Sequence, residues 1–348
     1  MKIEHIEINE NSPVFIIAEL SANHNGSLET AIETVKAAKR AGADCIKLQT
    51  YTADTMTIAS DKDDFIVKGT IWENQNLHEL YQKAYTPWEW QEELMQVAKQ
   101  EGLVCFSSPF DPTSVEFLET LKVPAYKIAS FEITDIPLIE LVASKGKPII
   151  ISTGIAEQED IELALDACKR MGNDNIALLK CTSSYPAPIE EANMCMIKDL
   201  ANRYGVISGL SDHTMGSTVP IVATALGAKI IEKHFILDRS IGGPDASFSM
   251  NEQEFTAMVK AVREAENAIG VVDYKLTDKQ RKGRDFCRSL YVVEDINTGG
   301  ILTEKNIRSI RPGFGMHPKH YKKILGKRVA SSLQKGDPLL FNSIIHNE

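Results

Sequence analysis

Eight short, almost unbroken apolar runs recur along the first 235 residues: VFIIAEL (14 to 20), CIKLQT (45 to 50), LVCFSS (103 to 108), AYKIAS (125 to 130), PIIIST (148 to 153), IALLKCT (176 to 182), GVISGLS (205 to 211) and KIIEKHF (229 to 235). Between most of them lie segments with apolar residues at helical spacing, such as Leu28 to Arg40, Pro87 to Gln100, Glu157 to Arg170 and Ser217 to Leu226. Strands apolar on both faces belong in a parallel sheet covered by helices. Eight such βα units predict an α/β fold, a closed (β/α)8 TIM barrel. A doubly wound sheet fits less well, because no GxGxxG turn follows the first run.

At 348 residues the chain exceeds the roughly 250 of a single barrel. A long helical pattern from Glu252 to Ile269 is followed by the polar stretch LTDKQRKGRD and then by short β-like runs, RSLYVVEDI and LLFNSII, among Gly299, Gly300, Gly313 and Gly315. The expected division is a barrel over 1–275, a linker over 276–285 and a small β-rich domain over 286–348. So small a domain buries little core alone and is expected to dock on something. Inside the barrel, the connection from Tyr51 to Thr86 far exceeds the usual two to six residues. It reads as a lid or extra wall, and its Phe65, Trp72, Tyr81 and Tyr85 either cover a substrate or pack the loop down.

The net charge of −10 is spread along the chain rather than collected in a tail, which argues against nucleic acid or an anionic membrane as partner. No stretch approaches the ~18 apolar residues of a membrane span, and MKIEHIEINENSP has no signal-peptide core, so the expected location is the cytoplasm. The six cysteines form no CxxC pair, which predicts free thiols; Cys45, Cys105 and Cys181 are expected to pack in the core.

In a parallel barrel the chemistry sits at the C-terminal strand ends. The polar residues there run from Glu19, Asn23 and His24 on the first strand through Lys47 and Gln49, Ser107 and Ser108, and Lys127, Ser130 and Glu132. Ser152 and Thr153 follow on the fifth, then Lys180, Thr182, Ser183 and Tyr185 on the sixth. The seventh gives Ser211, Asp212 and His213, and the eighth gives Glu232, His234 and, downstream, Asp245. Buried ionisable groups cost several kcal/mol unless partnered, so Glu19, Lys47, Lys127, Glu132 and Glu232 together call for a ligand. Two imidazoles 21 positions apart on adjacent strands suit a borderline cation such as Mn²⁺ or Zn²⁺. Lys47 and Lys127, with Ser152, Thr153 and Ser183, suit a phosphate and a carboxylate. A Lys–Glu ion pair and a Schiff-base lysine are both open alternatives.

The segments IIAELSANHNGS, AGADCIKLQTY, FSSPFD, AYKIASFE, ISTGIA, KCTSSYP, GLSDHT, ALGAKIIEKHF and GPDASFS, followed by RSLY and IRSIRPGFG, resemble the sialic acid synthase family in order along almost the whole chain. Within it, LSANHNGS, DDFIVKGTIWENQNLHELYQKAYTPWEW and RPGFGMHPKHY are most similar to the synthases of pseudaminic acid. The resemblance implies a TIM barrel with a C-terminal antifreeze-like (SAF) domain. It also implies a transferase that condenses phosphoenolpyruvate with 2,4-diacetamido-2,4,6-trideoxy-β-L-altropyranose and releases phosphate; neuraminate or legionaminate synthesis on the same scaffold is the alternative. By the same resemblance His213 and His234 hold a divalent metal, Mn²⁺ or Mg²⁺, with Co²⁺ a further candidate. Lys47, Lys127, Ser152, Thr182, Ser183 and Ser211 contact phosphoenolpyruvate. Glu19, Glu132 and Glu232 are the catalytic carboxylates, and Tyr185, Asp245 and Arg311 contact the sugar. Arg311 does so across a homodimer that exchanges its C-terminal domains. One departure bears on substrate: Ser183 stands where the neuraminate synthases carry asparagine.

Overall fold

All eight apolar runs form strands in the computed structural model, which describes residues 1–345. They are β1 (Phe15–Glu19), β2 (Cys45–Thr50), β3 (Val104–Pro109), β4 (Tyr126–Ile128), β5 (Ile149–Ser152), β6 (Ile176–Cys181), β7 (Ile207–Asp212) and β8 (Ile230–His234). Each pairs in parallel with the next and β8 returns to β1, so the sheet closes without a free edge. The helices lie where the periodicity puts them, at Leu28–Arg40, Trp88–Glu101, Gln158–Arg170, Thr218–Ala225 and Glu252–Ile269. Their starts follow local chemistry. Ser27 accepts from the Thr30 N–H, and Asn251 and Glu254 form a reciprocal capping box.

Because successive strand residues point to opposite faces, one parity on each strand lines the barrel interior. Phe15 and Ile17, Cys45, Val104 and Phe106, Ile150, Ala177 and Leu179, and Ile230 pack there as one apolar plug. A two-stranded hairpin, Lys2–Ile3 with Ile6–Glu7, closes the floor, and its Ile3 and the following Ile8 join the same cluster. Gly209 is the inward residue of β7 because the space is taken: a Cβ there would come within 2.5 Å of the Ile230 carbonyl and 2.6 Å of Leu179. The opposite parity (Ile16, Ala18, Ile46, Leu48, Cys105) packs under the helices. Two residues further along the inward parity the apolar plug ends and the ionisable groups begin.

The chain divides into two compact units, Met1–Gly270 and Val271–Glu348. In the second, Ser289–Val292 pairs antiparallel with Ile307–Ile310 over a small core of Leu290, Val292, Leu302, Ile307, Val329 and Leu339. The stretch expected as a linker is partly helical: Thr277 caps a short helix at Asp278–Gly283. Residues 346–348, the end of the expected third segment, lie outside the described residues. The division also corrects the view of charge as evenly spread. Residues 1–270 carry 23 Lys and Arg against 40 Asp and Glu, whereas residues 271–348 carry 15 against 8. All six cysteines are free, and among the described residues no helix is long and apolar enough to cross a membrane.

Candidate active site

The inward parity that carries the plug ends at the mouth in Glu19, Lys47, Lys127, Ser152, Ser211 and Glu232. All are at least 95% buried. Register brings them together: Glu19 lies beside Lys47, and Glu232 beside Ser211. The Lys47 ammonium contacts Glu19 directly and lies 3.7 Å from Glu232, while Lys127 lies 3.8 Å from the same Glu232 oxygen. Lys127 donates to Ser152 Oγ at 2.7 Å, Ser211 donates to Glu232 at 3.1 Å, and Lys47 reaches Ser108 Oγ at 3.4 Å. Ser130 and Ser183 complete a hydroxyl rim around Gly154, where a Cβ would fall 2.1 Å from Ser183 Oγ and 2.7 Å from Ser130 Oγ. Only glycine lets these hydroxyls come so close.

Two ammoniums face three carboxylates here, and the protonation states divide accordingly. Burial alone would raise Glu232, but Lys127 and Lys47 outweigh it and hold its carboxyl below the ordinary value. Burial pushes Glu19 up to about 7 against the pull of Lys47, and pushes Glu132 up to about 7 against that of Lys127. Burial, reinforced by Lys47, brings Lys127 below its ordinary value despite Glu232. Glu19 Oε2 meets the Lys47 ammonium, but Glu19 Oε1 and one oxygen each of Glu132 and Glu232 are buried without a hydrogen bond. Such a concentration of unsatisfied acceptors is what a site built for a ligand shows.

One step further along β7 and β8 lie His213 and His234, their ring centroids 5.3 Å apart. His213 Nδ1 is 3.0 Å from the Thr182 carbonyl, which can only accept, so that nitrogen carries the hydrogen and leaves the Nε2 lone pair for a cation. Burial, with His213 and the lysines nearby, holds His234 well below the ordinary histidine value. Its buried Nδ1 has no hydrogen-bond partner, and Asp245 Oδ2 stands 3.9 Å away. This donor set fits a divalent cation whose remaining ligands are water or substrate. Among the described residues, no three His, Cys, Asp or Glu side chains form a ready-made metal cluster.

Several sequence expectations are placed differently. Thr182 meets the site through its carbonyl, its hydroxyl being donated to the Glu191 carbonyl. Cys181 is buried as expected, yet its sulfur lies at the mouth, 3.8 Å from both His213 Nδ1 and Ser183 Oγ. Of the polar strand ends, Ser107 bonds Thr50 and Asp212 pairs with Lys233, both on the parity that faces the helices. His24 accepts from the Gly26 N–H, and burial lowers it to about 4, so it serves as a neutral structural group. Tyr185 packs on His213 with centroids 4.4 Å apart, and Phe248 and Trp72 extend that aromatic wall. Trp72 came from the long connection, whereas Phe65 makes no ring contact among the described residues. Ser21, which donates to Asp245, was missed; its φ of +46° in a sharp turn is invisible to periodicity. Arg311 lies in the second unit, exposed, and makes no side-chain hydrogen bond or ion pair among the described residues.

Comparison with known proteins fits this geometry. Residues 34–274 match the NeuB family and residues 288–345 the SAF domain. The chain is 50% identical over 331 residues to a pseudaminic acid synthase of Campylobacter jejuni, covering 95% of this chain and 96% of that protein. It is 49% identical to the pseudaminic acid synthase of Helicobacter pylori (95% and 98% covered), and 36% identical to an N,N'-diacetyllegionaminic acid synthase of Legionella pneumophila (95% and 94% covered). A crystal structure of an N-acetylneuraminic acid synthetase from Leptospira borgpetersenii, in complex with citrate, superposes with a TM-score of 0.73 at 30% identity, covering 81% of this chain and 94% of the other. The chain is therefore a member of the NeuB family, the sialic acid synthases.

Proposed function

We propose that this protein is a pseudaminic acid synthase. It condenses phosphoenolpyruvate with the open-chain aldehyde of 2,4-diacetamido-2,4,6-trideoxy-β-L-altropyranose and water, giving pseudaminic acid and phosphate. The observation that carries the reading is one mouth divided in two. The lysine pair, from β2 and β4, meets at Glu232 on β8, and His234 stands two residues, roughly 6–7 Å, beyond Glu232 with His213 beside it at the end of β7. The half-identical relatives supply the choice of sugar.

Phosphoenolpyruvate takes over Lys47 and Lys127 from their carboxylate partners, with Ser152, Ser183 and Ser211 donating to its oxygens. Its methylene carbon attacks the aldehyde carbon, leaving C2 electron-poor. Water adds at C2, and phosphate leaves with cleavage of the C2–O bond. The water must lose a proton and the former aldehyde oxygen must gain one. Glu19 and Glu132, both near 7, are matched to that exchange at neutral pH, while ionised Glu232 steadies the positive charge at C2. His213 and His234, with Asp245 beside them, would hold a divalent cation (Mn²⁺ or Mg²⁺, with Co²⁺ a third candidate) that polarises the aldehyde oxygen when bound. Tyr185 and Asp245 border the sugar, and the Trp72–Tyr185–Phe248 wall offers the apolar surface a 6-deoxy methyl group needs. Arg311 reaches the sugar from a partner chain in a homodimer that exchanges its second units. The cytoplasm, where phosphoenolpyruvate is made, is the compartment we assign.

The test is phosphate release from chelator-stripped enzyme, before and after Mn²⁺ is restored, with the altrose-derived sugar and with N-acetylmannosamine. Release is expected only with metal and predominantly with the first sugar. Comparable turnover of both removes the sugar assignment. Metal-independent turnover with borohydride trapping in the presence of pyruvate removes the mechanism in favour of a lysine aldolase.

A further inference from the structure

Between β2 and β3 the chain forms a small arm. Ile66 bridges Asn76, the Val67 N–H donates to the Gln75 carbonyl at 2.9 Å, and the Asn74 N–H donates to the Val67 carbonyl at 2.8 Å. Its base is tied down by Asn76 Nδ2, which donates to the Ser60 carbonyl at 2.7 Å. Its tip turns through Gly69 and Asn74, at φ of +70° and +65°. From that tip Trp72 crosses to the loop after β8, where its indole N–H donates to the Pro244 carbonyl at 3.0 Å. Among the described residues this is the one hydrogen bond between residues 66–75 and residues 239–249.

The receiving loop is held on either side, where Asn25 Nδ2 donates to the Ile241 carbonyl at 2.9 Å and Ser249 Oγ to the Asp245 carbonyl at 2.6 Å, and Trp72 supplies the tie between them. Gly242 and Gly243 sit at φ of +74° and +113°, and a glycine pair leaves the segment with more backbone freedom than any other two residues would. Pro244 follows them and Asp245 comes next, accepting from Ser21 Oγ and lying 3.9 Å from His234. Holding the Pro244 carbonyl therefore fixes the peptide from which the Asp245 side chain departs. The indole ring also lies 5.4 Å from Tyr185, which itself covers His213.

We propose that Trp72 is a positioning residue: its indole N–H latches the Pro244 carbonyl, holds Asp245 against the histidine pair and closes the arm over the sugar end of the mouth. The inference rests on assigning that end to the sugar. It predicts that sugar binding depends on Trp72 while phosphoenolpyruvate binding, at the lysine end, does not.

The experiment uses the metal-loaded full chain and whichever acetamido sugar the wild type turns over, so a wrong sugar assignment shows in the wild type before any variant is read. Trp72→Phe keeps the apolar face and removes the N–H. It is expected to raise the KM for sugar roughly 3- to 10-fold, the worth of one hydrogen bond, with the KM for phosphoenolpyruvate changed less than about twofold. Combined with Asp245→Asn, the loss should be smaller than the product of the two single losses, because Trp72 acts through Asp245. Without substrate, hydrogen exchange over residues 239–249 should quicken in Trp72→Phe while the barrel strands stay protected. An unchanged sugar KM, a parallel rise in both KM values, multiplying losses in the double variant, or unaltered exchange in the 239–249 loop would each overturn the latch.

Discussion

Two buried lysine–carboxylate clusters occupy neighbouring strands of the barrel and face opposite ways. On the outward parity, Lys233 pairs with Asp212 at 2.5 Å and also donates to the Thr214 and Gly216 carbonyls. Asp212 accepts from the Thr214 N–H at 2.9 Å and from its hydroxyl at 3.1 Å. On the inward parity, one residue away, Glu232 shares Lys47 with Glu19 and also faces Lys127, and one carboxylate oxygen of each glutamate goes without a hydrogen bond. The residue types and burial are the same; the satisfaction is not. A complete set of partners makes the outer pair part of the fold, and an incomplete set leaves the inner one to be completed by substrate.

The largest expected contrast is between Lys127→Met and Lys233→Met. Lys127→Met should cut kcat/KM for phosphoenolpyruvate by roughly 10²- to 10³-fold while the fold holds, because Glu232 keeps Lys47 and Ser211. Lys233→Met strands Asp212 in the interior and should cost about 3–5 kcal/mol of stability, with turnover per folded molecule near normal. Urea denaturation and phosphate release, measured on both, settle it. A stable Lys233→Met enzyme would erase the distinction drawn between the two clusters.

A smaller effect comes from removing both partners. Asp212→Leu added to Lys233→Met should recover much of the lost stability, since no charge is left unpaired, although the orphaned Thr214 N–H withholds about 1–3 kcal/mol. Glu232→Gln added to Lys127→Met should recover no activity. Rescue of turnover there would mean the inner lysine serves only its carboxylate neighbour.

How far these distinctions could be read from the chain follows from the same geometry. Near-continuous apolar runs gave all eight strands to within a residue or two, and the 21-residue step from His213 to His234 placed both at one mouth because the strands stay in parallel register. Parity within each run separates Lys47 from Leu48 and Glu232 from Lys233, a distinction the runs carry but that was not drawn from the sequence. Listing every polar strand end instead mixed Ser107 and Asp212 into the site. What periodicity cannot carry is loop geometry. The Trp72 to Pro244 bond, the Ser21 turn beneath Asp245 and the choice of Thr182 to offer its carbonyl depend on contacts between residues up to 224 apart in sequence.

The smallest change in stability concerns the pH dependence of the inner cluster. Glu132 has an ordinary value of 4.5 and burial raises it to about 7 in the folded protein. Between those values the folded chain keeps a proton the unfolded chain has lost, so stability falls as pH climbs through the window and levels off above it. Glutamine cannot ionise and escapes that fall. Glu132→Gln should therefore match the wild type near pH 4.5 and exceed it by about 1–3 kcal/mol at pH 8, while its turnover drops roughly 10²- to 10⁴-fold. Urea titrations at the two pH values, set beside a kcat/KM profile that loses its limb near 7, test both halves. An equal stability difference at pH 4.5 and 8 would place the Glu132 proton elsewhere and leave Glu19 as the one inner carboxylate poised for exchange.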